Sequence, residues 1–392
     1  MTEGKKNWQI RSLIVPVFLP SLMFSAGEAG LIPILPTIAS KLGADLPTAG
    51  FVTGLAMVGT LVFDLPAARL VSRIGERRAM MFAALVAALS MVGAYFAPNL
   101  FALGVSVFFA GSMLSIFGLA RHGYLTEVVP FSHRARTLAI LGGMFRGGAF
   151  LGPALAALVI FLVDEQTVFV MCAFFCLASA VLLLFVPADR MQDTPSTHGG
   201  STWEIAKRER SKLATIGVAS AILGAMRTTR QVGLPLWGIY IGLHPGTIAL
   251  FIGIAGAIDF ALFYSSGQIM DKWGRRFAVV PTLVGMAVTH LALLLAHDAG
   301  SFLWVAIAMS LANALGSGII LTLGADLAPA DARNEFLAAF RLLVDAGVAV
   351  TPILISTMAA TIALPGAMVV MSTISLYGAV VAWRYLPRFG IK

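Results

Sequence analysis

The stretch Gly267-Gln268-Ile269-Met270-Asp271-Lys272-Trp273-Gly274-Arg275-Arg276 is a charged turn between two long apolar runs, and parts of it occur twice. Its counterpart, Ala68-Arg69-Leu70-Val71-Ser72-Arg73-Ile74-Gly75-Glu76-Arg77-Arg78, lies 199 residues earlier. Gly75 then matches Gly274, Arg77 matches Arg276 and Arg73 matches Lys272. The same offset carries Leu35-Pro36 onto Leu234-Pro235, Pro130 onto Pro329, Arg134 onto Arg333, Gly148 onto Gly347 and Pro153 onto Pro352. Glu127 and Asp326 form a conservative pair on the same ruler. One constant offset over most of the chain means two halves of a single architecture.

The 392 residues are 58% hydrophobic and 12% charged, with a mean hydropathy of +0.89. Soluble domains carry about 25% charged residues, so this chain belongs in a bilayer. Twelve mainly apolar stretches are long enough to cross about 30 Å of hydrocarbon. They cover 12–38, 47–70, 79–97, 101–129, 137–163, 166–187, 213–242, 247–270, 277–296, 301–327, 336–361 and 364–386. The expected fold is an all-α polytopic membrane protein of twelve transmembrane helices. Residues 1–187 and 213–392 form two six-helix bundles related by a pseudo-twofold axis, and 188–212 link them. Within the linker, Trp203 to Lys212 is expected to form a short surface helix. The dyad alternation of a membrane β-barrel is absent from these Gly-, Ala- and Leu-rich runs.

The formal net charge of +8 would suit a nucleic-acid partner if it covered one soluble face. Instead, most of the 27 Lys and Arg fall in the N-terminus, the even-to-odd loops, the linker and the C-terminus, and only Lys41 lies in a loop on the other side. The positive-inside rule then places both termini and the linker in the cytoplasm, in the cell (inner) membrane, with the lipid bilayer rather than nucleic acid as partner. Cys172 and Cys176, four residues apart in one span, read as small apolar fillers and not as a disulfide or metal site. There is no phosphate-binding glycine loop ending in Lys-Ser/Thr. Energy is therefore expected from a proton gradient, with no cofactor.

The turn at 267–276 has a physical logic: a carboxylate at a helix end meets basic residues, a glycine permits a sharp turn, and arginines anchor at an anionic leaflet. It resembles the loop signature G-x-L-x-D-x-x-G-R-R of the major facilitator superfamily. The first-half copy departs from that pattern, with Ser72 in place of the acid and Glu76 in place of an arginine. The resemblance implies a gating set of Asp64, Arg73, Gly75, Arg77, Gly267, Asp271, Gly274, Arg275 and Arg276. In the fifth span, Gly148-Ala149-Phe150-Leu151-Gly152-Pro153 is similar to the antiporter motif of the family's drug/proton exchangers, with Gly148, Gly152 and Pro153 as its key positions. Gly30-Leu31-Ile32-Pro33-Ile34-Leu35-Pro36 resembles the first span of the same exporters. Val107 stands where their fourth-span arginine is expected. The resemblance implies an alternating-access transporter that is a monomer; the sequence offers no nucleophile with a base and no metal-ligand cluster, so an enzyme is not expected.

Ionisable residues inside spans cost at least about 2.5–3.5 kcal/mol each, which makes them candidates for function. Glu28 falls deep in span 1, Arg227 occupies the repeat-related position in span 7, and Arg230 follows one turn later on the same face. These three are expected to face one another across a central cavity, with Glu28 as the coupling-proton site or as half of a permanent ion pair. Asp259 in span 8 is the second proton candidate. Asp345 in span 11 is the third, and either Arg146, its repeat mate, or Arg341, one turn away, is its partner. Asp64, nine residues before Arg73, is expected to serve either a gate and its motif network or the substrate. Substrate contacts are expected from Glu28, Arg146, Phe150, Arg227, Arg230, Trp237 and Arg341. Asn313 is the one Asn placed deep in a span. His290, on an outer helix, is expected to pack.

Sparse charges among apolar and aromatic walls suit amphipathic organic molecules better than sugars. The leading expectation is proton-coupled export of small amphipathic, drug-like compounds. A proton-coupled symporter or flippase for an organic anion or lipid held by intramembrane arginines is the alternative, and a non-transporting membrane receptor is a third reading.

Overall fold

The computed structural model describes residues 13–129, 131–185, 202–329 and 331–390, and the described residues contain helices and turns but no strand. A π turn, Ile14–Phe18, leads into α1 (Leu19–Leu31), and the same span resumes as α2 (Leu35–Lys41). Then follow α3 (Leu46–Ile74), α4 (Glu76–Tyr95), α5 (Leu100–Val128), α6 (Phe131–Leu162) and α7 (Thr167–Leu184). Two short helices, α8 (Thr202–Arg208) and α9 (Arg210–Lys212), precede the second set, where a surface helix was expected. That set comprises α10 (Val218–Tyr240), α11 (Pro245–Trp273), α12 (Arg276–Ala292), α13 (Ala299–Leu315), α14 (Ile319–Leu327) and α15 (Arg333–Tyr385).

Among the described residues, ten helical stretches are long and apolar enough to cross a bilayer. The twelve expected spans are reconciled with them at two places. The stretch Glu335–Phe389 holds two spans, because α15 breaks at Ile362 and Ala363, where the backbone leaves the helical region. That break falls between the expected spans 336–361 and 364–386. The other place is α10, which carries Arg227, Thr228, Thr229 and Arg230 and is therefore less apolar than its neighbours.

Helix ends follow from local chemistry. Asp45, Asn99 and Asp298 accept backbone N–H bonds as N-caps of α3, α5 and α13, from Thr48 at 3.0 Å, Ala102 at 2.9 Å and Ser301 at 3.0 Å. The duplication reappears in backbone geometry. Gly75 (φ 83°, ψ 159°) ends α3 and Gly274 (φ 94°, ψ 170°) ends α11, both in a region that is essentially glycine-only.

Packing follows the repeat as well. α1 lies against α6 and α7, and α10 lies against α15 in the matching place. The two halves meet along two seams, α3 with α15 and α6 with α11. In both, small residues bring the helices together. A methyl group on Gly54 would collide with the Pro352 ring, and one on Gly253 would lie 3.1 Å from the Ala154 backbone. These approaches lie toward the face opposite α8. Nearer the α8 face, a methyl group added at Gly142 or Gly267 would find nothing within 4 Å.

Candidate functional site

The seventh span supplies the centre of the polar interior. Arg230 of α10 forms an ion pair with Asp259 of α11 and donates to Ser310 Oγ of α13 at 3.1 Å. The other Asp259 oxygen accepts from Asn313 Nδ2 at 3.0 Å. Asn313 Oδ1 in turn accepts from Arg227 Nε at 3.0 Å, and Arg227 also donates to the Gly316 carbonyl at 2.7 Å. Five polar side chains on three helices thus form one chain, Ser310 to Arg230 to Asp259 to Asn313 to Arg227.

Why Arg227 reaches a backbone carbonyl follows from the tenth span. Gly316-Ser317-Gly318 interrupts it, and Gly318 adopts φ +81° at the start of α14. A broken helix leaves carbonyls without intrahelical partners, which must be satisfied inside a membrane. Arg227 takes the Gly316 carbonyl, and Ser266 Oγ lies 2.8 Å from both the Leu315 and Ser317 carbonyls.

Arg146 of α6 joins this cluster from the first half. It lies over the Phe263 ring at 5.2 Å, within electrostatic reach of Asp259 and Arg227. The cluster therefore holds three guanidiniums against one carboxylate.

Glu28 departs from its expected place. The anticipated partners Arg227 and Arg230 are engaged by Asn313, Gly316, Ser310 and Asp259. Glu28 instead lies within electrostatic reach of Cys172 and Cys176 on α7, and its Oε1 is buried with no hydrogen-bond partner among the described residues. The cause is the close packing of α1 on α6 and α7. A methyl on Gly27 would meet the Cys172 carbonyl at 2.9 Å, and one on Gly30 would meet the Gly152 carbonyl at 3.2 Å. The two cysteines are free and buried.

Asp259, which has no basic neighbour in sequence, acquires one in space because α10 and α11 are consecutive spans. Asp345 pairs within its own helix, with Arg341 Nε at 3.2 Å from its Oδ2. Arg341 Nη2 also lies 3.5 Å from Asp64 Oδ1 on α3, and Asp64 accepts from Ser115 Oγ of α5 at 2.5 Å. The alternative pairing of Arg146 with Asp345 is not formed.

Trp237 is corrected from a cavity wall to a core residue. It is 1% exposed, and its indole N–H donates to the Ala296 carbonyl at 3.0 Å, which satisfies the only polar atom of the ring. Phe150 lines an apolar cavity of about 420 Å³ on the α6–α11 seam, with Ala154, Leu250, Gly253 and Ile254 among its walls and no charged residue. His290 is fully buried, with Nδ1 2.6 Å from the Met286 carbonyl.

The charged turns anchor helix ends. Arg275 binds Asp326 at 3.0 Å and the Met270 carbonyl at 3.1 Å, while Asp271 is mostly exposed and 3.8 Å from Arg275. Arg276 stacks on Trp383 at 3.0 Å. In the first half, Arg77 donates to the last carbonyls of α7, Leu183 and Leu184, each at 2.9 Å, while Arg73 is exposed. Gly148, Gly152 and Pro153 lie where α6 crosses α1. A methyl on Gly148 would fall 2.5 Å from Ser25 Cβ, and one on Gly152 would fall 2.6 Å from the Gly30 nitrogen.

Solved structures share this architecture. A POT family transporter in complex with a thioalcohol-conjugated peptide superposes with a TM-score of 0.81, covering 97% of this chain and 96% of its own at 14% identity. A bacterial homologue of the human lysosomal transporter Spinster, in an inward-facing conformation, gives 0.80 over 98% of both chains at 13% identity. By sequence, the chain is 20% identical over 305 residues to the class H tetracycline resistance protein of Pasteurella multocida, covering 72% of each. The family profile described as Major Facilitator Superfamily matches residues 17–352. With the duplicated helical halves and their charged turns, this match establishes that the chain is a multi-pass membrane transporter belonging to the Major Facilitator Superfamily.

Proposed function

We propose that the protein is a proton-coupled secondary transporter that exports small amphipathic organic compounds bearing an anionic group. One observation carries the reading: Arg146, Arg227 and Arg230 surround a single carboxylate, Asp259. An anionic substrate group would offset the excess positive charge, whereas a lipophilic cation would add to it. Phe263 and Phe260, with ring centroids 6.3 Å apart, provide an apolar surface beside Arg146 for the rest of the molecule.

Alternating access is supported by two seams whose close approaches lie toward one face, so that small residues on α3 and α11 act as a fulcrum. Export is supported by the likeness to a tetracycline resistance protein and by the glycine-proline stretch of α6. Glu28 is the proposed proton carrier, being a carboxyl with a buried oxygen that no described group ties down. A carboxyl can gain and lose a proton during a transport cycle, whereas an arginine effectively cannot lose its own.

The test is flux in proteoliposomes under an imposed proton gradient, with organic anions, neutral compounds and lipophilic cations compared. The expected result is gradient-driven movement of the anions that is lost in Arg230→Gln and uncoupled in Glu28→Gln. Movement confined to cations would overturn the charge assignment. Binding without flux would leave the receptor reading.

A further inference from the structure

The two copies of the charged turn are finished differently. Arg77 and Arg276 are repeat mates, and each lies in the first turn of a helix that packs against the last span of its own half, α4 on α7 and α12 on α15. Arg77 donates from Nε and Nη2 to the carbonyls of Leu183 and Leu184, each at 2.9 Å, and so fills the open end of α7. The mates of those two residues are Ala382 and Trp383. There α15 runs on to Tyr385 and into a single 3-10 turn, Leu386–Phe389, and the Leu386 N–H takes the Ala382 carbonyl. Arg276 therefore meets a ring where Arg77 meets a helix end.

Hydrogen bonds farther along the same two helices fix the register that places it there. Ser372 Oγ donates to the Ala287 carbonyl at 2.8 Å, and Ser375 Oγ to the Leu283 carbonyl at 2.7 Å. Continued toward the α8 face, this antiparallel pairing brings Arg276 onto Trp383, whose indole covers one face of the guanidinium. Under the ring, Nε is buried without a hydrogen-bond partner among the described residues, whereas the two Nη groups are neither buried nor bonded to any described residue. The acids of the turn go elsewhere: Asp326 binds Arg275 at 3.0 Å, and Asp271 lies 3.8 Å from Arg275.

The surface around the free fork is basic on one side and apolar on the other. Arg384 and Arg388 are exposed near the end of the last span, with Arg388 over the Tyr385 ring at 4.8 Å. Phe277 follows Arg276 on α12, and Val380 and Tyr377 precede Trp383 on α15 by about one and two turns. All three are exposed. A charged fork of two N–H donors at the edge of an apolar surface matches a phosphate that carries acyl chains better than a free ion.

We propose that Arg276 and Trp383 form a site for one anionic phospholipid, whose phosphate accepts from the two Nη groups and does for the second half what the Leu183 and Leu184 carbonyls do for the first. The indole fixes the plane of the fork, and the acyl chains lie along Phe277, Val380 and Tyr377. The site is separate from the arginine cluster around Asp259, so it does not depend on what the protein carries.

Native mass spectrometry of the full chain in detergent tests the site, with phosphatidylglycerol titrated beside phosphatidylcholine of the same acyl chains. Wild type is expected to retain one phosphatidylglycerol in preference, and Arg276→Gln to weaken that retention about tenfold or more. Arg276→Lys, which keeps the charge and loses the fork, should weaken it nearly as much. Lys272→Gln removes an exposed charge of the same turn and should change it by less than about twofold. Inorganic phosphate at the same concentration should not displace the lipid. Thermal unfolding separates binding from folding: in lipid-free detergent Arg276→Gln is expected to melt with wild type, and added phosphatidylglycerol to raise the melting temperature of wild type alone. Equal losses in Arg276→Gln and Lys272→Gln would mean that general attraction to basic charge holds the lipid. Unchanged retention in Arg276→Gln would place the lipid elsewhere, and displacement by inorganic phosphate would make the site one for a free anion. Any of these three results overturns the proposal.

Discussion

Arg230 of α10 is paired with Asp259 of α11, and the carboxylate is shared with Asn313 of α13. Both members of the ion pair are largely buried, so removal of one leaves the other uncompensated. Asp259→Asn is expected to destabilise the protein by about 3–5 kcal/mol. The double variant Asp259→Asn/Arg230→Gln should lose less than the sum of its parts. Thermal unfolding in detergent for the full double-mutant cycle measures the coupling, and strict additivity would show that the pair is energetically idle.

Arg227 performs a second job, as the cap of a broken helix. Its Nη2 holds the Gly316 carbonyl while its Nε holds Asn313. Lysine carries the charge but lacks the planar fork, and so it cannot make both contacts in this geometry. Arg227→Lys is expected to cost about 1–3 kcal/mol by freeing one buried acceptor. Faster hydrogen exchange around residues 316–320 in that variant, with the first half unchanged, is the expected signature.

How much of this was legible in the sequence depends on the range of the interaction. The duplicated spans, the glycine ends at Gly75 and Gly274 and the break near residue 362 all follow from local apolarity and glycine chemistry. Asn313 was legible as the one Asn deep in a span, but its partners were not. The pairing of Arg230 with Asp259 was not legible, because it depends on the relative rotation of α10 and α11, which no periodicity specifies. Glu28 was misplaced for the same reason: repeat symmetry gives equivalent positions in two halves, not the direction in which each side chain points. Gly316-Ser317-Gly318 was a readable signal of a helix break, and through it the role of Arg227 as a cap was within reach.

The glycines of the α1–α6 crossing should be far less replaceable than Gly267, which precedes the charged turn within α11. At Gly152 an added methyl meets the Ala26 carbonyl and the Gly30 nitrogen, both backbone atoms that cannot rotate away. At Gly267 it meets nothing within 4 Å. Gly152→Ala is expected to lower stability by about 1–3 kcal/mol. Gly267→Ala should be neutral or slightly stabilising. Melting temperatures of the two variants decide the matter, and equal tolerance would mean that α6 can shift off α1 without penalty.

Ala363 is a residue held in the wrong backbone region. Its φ of 61° and ψ of 166° are close to those of Gly75 and Gly274, but it carries a Cβ. Such a conformation costs on the order of 1–3 kcal/mol for a non-glycine residue. Ala363→Gly is therefore expected to raise the melting temperature, against the usual direction for glycine replacements. A decrease would mean that the turn between the last two spans relaxes out of this conformation in solution.

Helix α8 is fastened to the core by charges that titrate outside the membrane. Arg208 binds Asp331 at 2.8 Å, and Lys212 binds Glu209 at 2.9 Å and the Leu327 carbonyl at 3.1 Å. The hydrogen bond from Arg208 holds the Asp331 carboxyl below its ordinary value, and Lys212 does the same for Glu209. A carboxyl whose value is depressed on folding contributes docking stability above its unfolded value, about 3.9 for Asp, and loses it as pH falls through the folded one. Docking of α8 should therefore be constant through neutral pH and fail only in acid, below about pH 4. Trp203, exposed on α8 beside Lys207, reports the event by its fluorescence. Asp331→Asn should release α8 at neutral pH, and high salt should weaken the wild-type contact, because exposed pairs are screened. An α8 that stays docked in Asp331→Asn at high salt would show that the Lys212 contacts alone suffice.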